Sequence, residues 1–214
     1  MRLEPGRALY TIGSNLELLE DARGEHTIES VQAAKGFRPF PLESVNLGLS
    51  RSAYWLRFRL ENSSEREWFL QLNNATLHEL DLYRPTPGGY QKTSAGVLTP
   101  PEERERFAVY PVFLVRASGT YYLRLHSPTV IWLQFVILSE RAWAEQIVQL
   151  TGFALVLAGM ALAITLYNLF VFGVLGERGY LYIALGVLFF ALHQLSLSGL
   201  ANRYLWPGWI GFGS

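Results

Sequence analysis

The first two thirds of the chain alternates between apolar and polar residues. In Tyr54–Asn62 (YWLRFRLEN), Leu56, Phe58 and Leu60 point one way, and Trp55, Arg57 and Arg59 point the other. A period of two predicts a half-buried strand. The pattern returns in LHELDLY, where Leu80 and Leu82 oppose Glu79, Asp81 and Tyr83, and in TYYLRLH, where Tyr121, Leu123 and Leu125 oppose Tyr122, Arg124 and His126. In VIWLQFVI, Ile131, Leu133, Phe135 and Ile137 oppose Trp132, Gln134 and Val136, and WFLQLNN (Trp68–Asn74) reads as a fifth strand. Turn-forming stretches, NSSERE and PTPGG, separate the runs, which predicts a mainly β antiparallel sandwich or barrel. Leu16–Gln32 reads as a strand followed by a short helix that Thr27 starts, with Ser30 nearby in a spacing short of a clean capping box. Gly36–Asn46, with two prolines, reads as loop.

The pattern then changes kind. Ile147–Gly176 contains no Asp, Glu, Lys, Arg or His. A membrane span needs about 20 apolar residues, so Ile147–Gly173 is expected to cross a bilayer. Tyr180–Leu200, apolar but for His193, Gln194 and a few serines, is expected to cross back after the turn GERG, the pair forming an antiparallel hairpin. Tyr204, Trp206 and Trp209 in the remaining residues 201–214 suit an interfacial aromatic belt. Small residues recur at four-residue spacing (Ala154 and Ala158, Gly159 and Ala163) and favour close helix approach. Asn168 and His193 are polar groups at membrane depth, either hydrogen-bonding between helices or functional.

Charge sharpens the division. The chain has 214 residues with 18 basic and 18 acidic side chains, and beyond Ile147 only Glu177, Arg178 and Arg203 are charged. A net charge of zero gives no support to a nucleic-acid partner. The absence of Cys excludes a disulfide framework and a thiolate metal site. Met1 is followed by polar sequence without an apolar leader core, so either a leader precedes this chain or its first span inserts it. Orientation is not set by charge, since Arg141 before the first span is balanced by Arg178 in the turn.

The candidate chemistry lies on the faces opposite the core: Trp55, Arg57, Arg59, Glu79, Asp81, Tyr83, Tyr122, Arg124, His126, Trp132 and Gln134. Rings mixed with guanidinium, carboxylate and amide groups suit a polar ligand such as a sugar; the same composition is also routine on a solvated outer face. Hydrolase, phosphate-loop and metalloprotease motifs are absent, and the four histidines are too scattered to indicate a metal site. No cofactor is implied. Glu79 and Asp81, two apart on one strand, lie about 7 Å apart, a separation an inverting glycosidase could use, but ordinary strand faces carry such pairs. Asn62-Ser63-Ser64 and Asn74-Ala75-Thr76 match the glycosylation sequon.

The order of segments carries a resemblance. LELLEDARGEHTIESV, NLGLSRSAYWLRFRLEN, LHELDLY and GTYYLRLHS are followed by an uncharged span with LYNLFVFG, then ERGYLYIAL and SGLANRYLWPG. This resembles the bacterial seven-transmembrane receptors with diverse intracellular signalling modules (7TMR-DISM). Residues 1–143 look like the type-2 extracellular domain of that family, a jelly-roll sandwich similar to carbohydrate-binding modules, and residues 147–200 like its first two membrane helices. The resemblance implies a sandwich in the periplasm, the GERG turn in the cytoplasm, and an inner-membrane sensor for a carbohydrate or small polar ligand. It also implies five further helices and a cytoplasmic output such as a histidine kinase or diguanylate cyclase, so that enzyme activity belongs outside these residues. A homodimer or a partner receptor is a possible companion, and docking on a periplasmic protein is the alternative to ligand sensing.

Overall fold

The computed structural model describes residues 1–4, 6–40, 43–63, 66–106 and 108–197. They form two units, one comprising residues 1–143 and the other beginning at Ala144.

The first unit is a sandwich of two sheets. One sheet runs, in spatial order, β4 (Arg38–Pro39), β3 (Glu17–Asp21), β6 (Ala53–Asn62), β11 (Gly119–His126), β8 (Glu79–Thr86) and β9 (Gly89–Ala95), with β1 (Arg2–Leu3) pairing the end of β6. The other runs β10 (Val112–Val115), β7 (Trp68–Leu72), β12 (Ile131–Ser139) and β2 (Leu9–Thr11), with β5 (Ser44–Gly48) also paired to β12. All pairings are antiparallel except β1 with β6. From β5 to β8 each successive strand changes sheet, and β10, β11 and β12 do so again, the crossing pattern of a jelly roll.

The alternation produces this directly. Leu56, Phe58, Leu60, Leu80, Leu82, Tyr121, Leu123 and Leu125 face Leu70, Leu72, Phe113, Leu133, Phe135 and Ile137 across one core. Phe58 stacks on Tyr121 at 5.3 Å between ring centres, and Tyr10 meets Trp68 edge-on at 5.7 Å. Each such side chain contributes roughly 1.5–3 kcal/mol on burial.

Several elements depart from the sequence reading. Gly36–Asn46 holds β4 and the start of β5 rather than only loop. Pro39 is tolerated because β4 is a two-residue edge strand paired on one side only. In β5, Val45 and Leu47 pack on the core while Asn46 is exposed. The short helix α1 (Ile28–Ala33) does carry a full capping box. The Thr27 backbone N–H donates to Ser30 Oγ at 3.0 Å, and the Ser30 N–H donates to Thr27 Oγ1 at 3.4 Å. Serine replaces the usual Glu or Gln at the third helical position. Neither sequon asparagine presents a free amide. Asn74 is buried and donates to the Trp132 carbonyl at 3.0 Å, and Asn62 donates to the carbonyls of Arg66 and Arg116.

Helices α2 (Glu140–Leu175) and α3 (Arg178–Leu197) are long and apolar enough to cross a membrane. Helix α2 starts seven residues before Ile147, immediately after β12. Ser139 accepts the Ala142 N–H at 3.3 Å, a capping contact that lets strand turn into helix within one residue. The helix stops at Gly176, whose φ of 69° is left-handed and whose N–H closes on the Phe172 carbonyl. Val148, Phe153, Val156, Met160 and Phe170 are exposed along α2, as are Phe189 and Phe190 on α3. Such a surface requires lipid or further helices to cover it. The Asn168 side chain donates to the Ile164 carbonyl of its own helix at 2.8 Å, rather than to the other helix. His193 is exposed. Residues 198–214, including the end of the second expected span and the belt residues Tyr204, Trp206 and Trp209, lie outside the described residues.

Candidate ligand-binding face of the first sheet

Antiparallel register puts directly opposed residues on the same face. Glu17, Arg57, Tyr122, Tyr83 and Lys92 therefore form one row across the outer face of the first sheet, from β3 to β9. Leu19, Trp55, Arg124, Asp81 and Ser94 form the next, and His126 with Glu79 a third. Arg59 and Thr120 stand on the other side of the first row. Nine of the eleven candidate residues thus share one face. Trp132 and Gln134 do not join them. They lie on the outer face of the second sheet, where Gln134 accepts from Asn73 and the Trp132 ring is 40% exposed. The alternation of β12 is the same as that of the other strands, and nothing in it distinguishes one sheet from the other.

The middle of the first face is covered. Helix α1 and the segment after it lie over it, so that Val31 and Trp55 are 0% exposed and Tyr122 is also buried. Trp55 stacks on Tyr83 at 5.4 Å, and Phe37 approaches Tyr122 at 6.4 Å. Trp55 consequently presents no ring to a ligand in this arrangement; it is the floor of a second, small core. Burial pushes the Tyr83 phenol above its ordinary value, which keeps it neutral.

A turn anchors this cover. Asp21 is buried, and its carboxylate accepts the backbone N–H groups of Glu25 at 3.1 Å and His26 at 2.9 Å. Burial alone would raise its pKa, but the backbone hydrogen bonds outweigh it and hold the carboxyl below its usual value. The anchored turn leads directly into the Thr27 cap of α1.

The two flanks of the cover differ in charge. On one side Asp81 pairs with Lys92 at 2.9 Å and accepts from Ser94 at 2.6 Å. Arg124 bridges Glu79 at 3.4 Å and Asp81 at 4.0 Å, and His126 stands 3.8 Å from Glu79. Both carboxylates of the conceivable glycosidase pair are thus engaged in a salt-bridge network. On the other side is a groove of about 540 Å³, lined by Ser14, Asn15, Glu17, Pro39, Arg57, Arg59, Thr120 and Tyr122 among others. Its volume lies within the usual range for a small-molecule site. Arg57 is fixed there by Glu17 at 2.6 Å and lies over the Phe37 ring at 4.3 Å. The sequence reading missed Ser14, Asn15, Glu17, Phe37 and Thr120. Glu17, Leu19 and Asp21 alternate in β3 and were legible as a face; the placement of Phe37 follows from tertiary packing alone.

The outer face of the second sheet carries its own cover. Phe69, Val112, Leu114, Val136 and Leu138 gather there with Ala142 and Trp143 from the first turn of α2, and Trp143 stacks on Phe69 at 4.5 Å and 10°.

Comparison with known families agrees with this architecture. Residues 13–139 match the family model described as 7TMR-DISM extracellular 2, and residues 150–212 match that described as 7TM diverse intracellular signalling. The chain belongs to the 7TMR-DISM family, with residues that match its extracellular domain and its membrane domain. No curated protein matches it.

Proposed function

We propose that the sandwich is the periplasmic input of a bacterial inner-membrane receptor, and that it binds a carbohydrate or another small polar ligand in the groove beside α1. The observation that supports this best is the groove itself. Three of the candidate residues, Arg57, Arg59 and Tyr122, converge there with neutral hydrogen-bonding side chains. A ligand biases a receptor only if it favours one arrangement over another. Tyr122 connects the groove to the α1 cover, since it lines the groove and packs in the small core under α1, six helical residues held by one capping box. Such lightly anchored elements open at low cost. The signal would leave through β12 into α2 and pass through the membrane domain to a cytoplasmic output module.

A thermal-shift screen of the whole chain in lipid nanodiscs, against neutral and acidic sugars, tests this. A ligand at 100 times its dissociation constant adds about 2.7 kcal/mol of stability. A hit that survives both Arg57→Gln and Tyr122→Ala would place binding elsewhere.

A docking reading has its own observation. Leu49 is 74% and Val130 48% exposed, and they adjoin Gly48 and Ile131, which pair where β5 meets β12 one residue before Trp132. Capture of a periplasmic partner that Trp132→Glu abolishes would favour it.

A further inference from the structure

We propose that the groove selects a singly charged acid, a sugar acid or a comparably hydroxylated monocarboxylate, with Arg59 as its anchor. The inference rests on reading the groove as the ligand site and adds the charge class.

Charge accounting on the outer face of the first sheet carries it. Around Arg124 the charges cancel: Glu79 and Asp81 face Arg124 and Lys92, and each of the four has an opposite partner within 4.0 Å. In the groove they do not. Arg57 is matched by Glu17, whereas Arg59 makes no ion pair with any described residue. Its cross-strand neighbour is Thr120, and Ser14 and Asn15 line the same groove. Among the described residues that line the groove, Glu17, Arg57 and Arg59 carry charge, which leaves one positive charge unmatched among neutral donors and acceptors. One carboxylate balances it. A dianion would place its second charge against Glu17, and a neutral sugar would leave the guanidinium without a countercharge. Ser14, Asn15 and Thr120 supply hydroxyl partners for the rest of a polyhydroxylated ligand. An Arg fork also favours the planar carboxylate by its geometry.

The test is calorimetric titration of the whole chain in nanodiscs with galacturonate, with galactose as its neutral counterpart, and with galactose 1-phosphate as the dianion. The acid should bind about tenfold or more tighter than its neutral counterpart. Raising salt from 0.05 to 0.5 M should erase most of that margin, because exposed charges are screened. Arg59→Gln should lower the affinity for the acid to that for the neutral sugar, and Arg59→Lys should restore part of it. Arg51→Gln, roughly 26 Å away along the β6 direction, should change neither. Unaltered melting of Arg59→Gln separates a lost contact from a lost fold. Equal binding of acid and neutral sugar, insensitive to salt and to Arg59→Gln, overturns the charge assignment and leaves the ligand-sensor reading intact. Tighter binding of the phosphate overturns the single-charge argument. Failure of every sugar to bind, with the fold intact, counts against both.

Discussion

The two outer faces of the sandwich start from the same sequence pattern and end differently. On the first sheet, α1 seals Trp55 and Tyr122 and leaves a groove on one flank and a charge network on the other. On the second sheet, the first turn of α2 seals Phe69 and leaves Trp132 in solvent. The cover of one face is a local insertion between two strands; the cover of the other is the root of the chain's path to the membrane. A residue opposite the core is therefore not automatically at the surface, and the two tryptophans that look alike in sequence have opposite roles.

That contrast makes the largest prediction. Trp55→Ala should destabilise the sandwich by about 3–5 kcal/mol, as for other buried aromatic truncations, whereas Trp132→Ala should cost under about 1 kcal/mol. Denaturant unfolding of both variants would collapse the comparison if the costs were equal. Asp21→Ala comes next, at about 2–3 kcal/mol, because it removes two hydrogen bonds from the backbone N–H groups of Glu25 and His26 to a charged carboxylate. The sign of its pH dependence follows from a carboxyl held below its usual value. Its contribution is complete above the ordinary Asp value of about 3.9 and is lost as pH falls through the lower folded value. Melting temperature measured from pH 5 down to pH 2 should fall less steeply in Asp21→Ala than in the parent. Trp143→Ala should cost about 1–2 kcal/mol through loss of the Phe69 stack, and near-ultraviolet circular dichroism should register the lost ring pair. Thr27→Ala should cost about 1 kcal/mol. Amide exchange of residues 28–33 should quicken while the β6 amides stay protected; uniform quickening would mean that α1 is not a separate cover.

Much of this was legible in the sequence, for identifiable reasons. Strands β6, β8, β11 and β12 were readable because each has a strict inward set of large apolar residues. The apolar helices were readable from the uncharged run after Ile147. β9 was not, since GYQKTSA is polar on both faces, nor were β1 and β2, which are too short to show a period. Nine of the eleven candidate residues share a face because period two identifies the side of a strand on which a residue lies. It carries no information on which sheet the strand joins, and so Trp132 and Gln134 were grouped with residues they never meet. Nor does it show what folds over the sheet, which is why Trp55 looked available.

The junction at Ser139 has a mechanical consequence. The strand becomes a helix within one residue, so no unstructured linker separates β12 from α2 and the phase of the helix is counted from Ser139. Each residue added within the first turns of α2 would shift the phase of the later helix positions by about 100° and lengthen the helix by about 1.5 Å. Seven added residues would return the original facing to within about 20°.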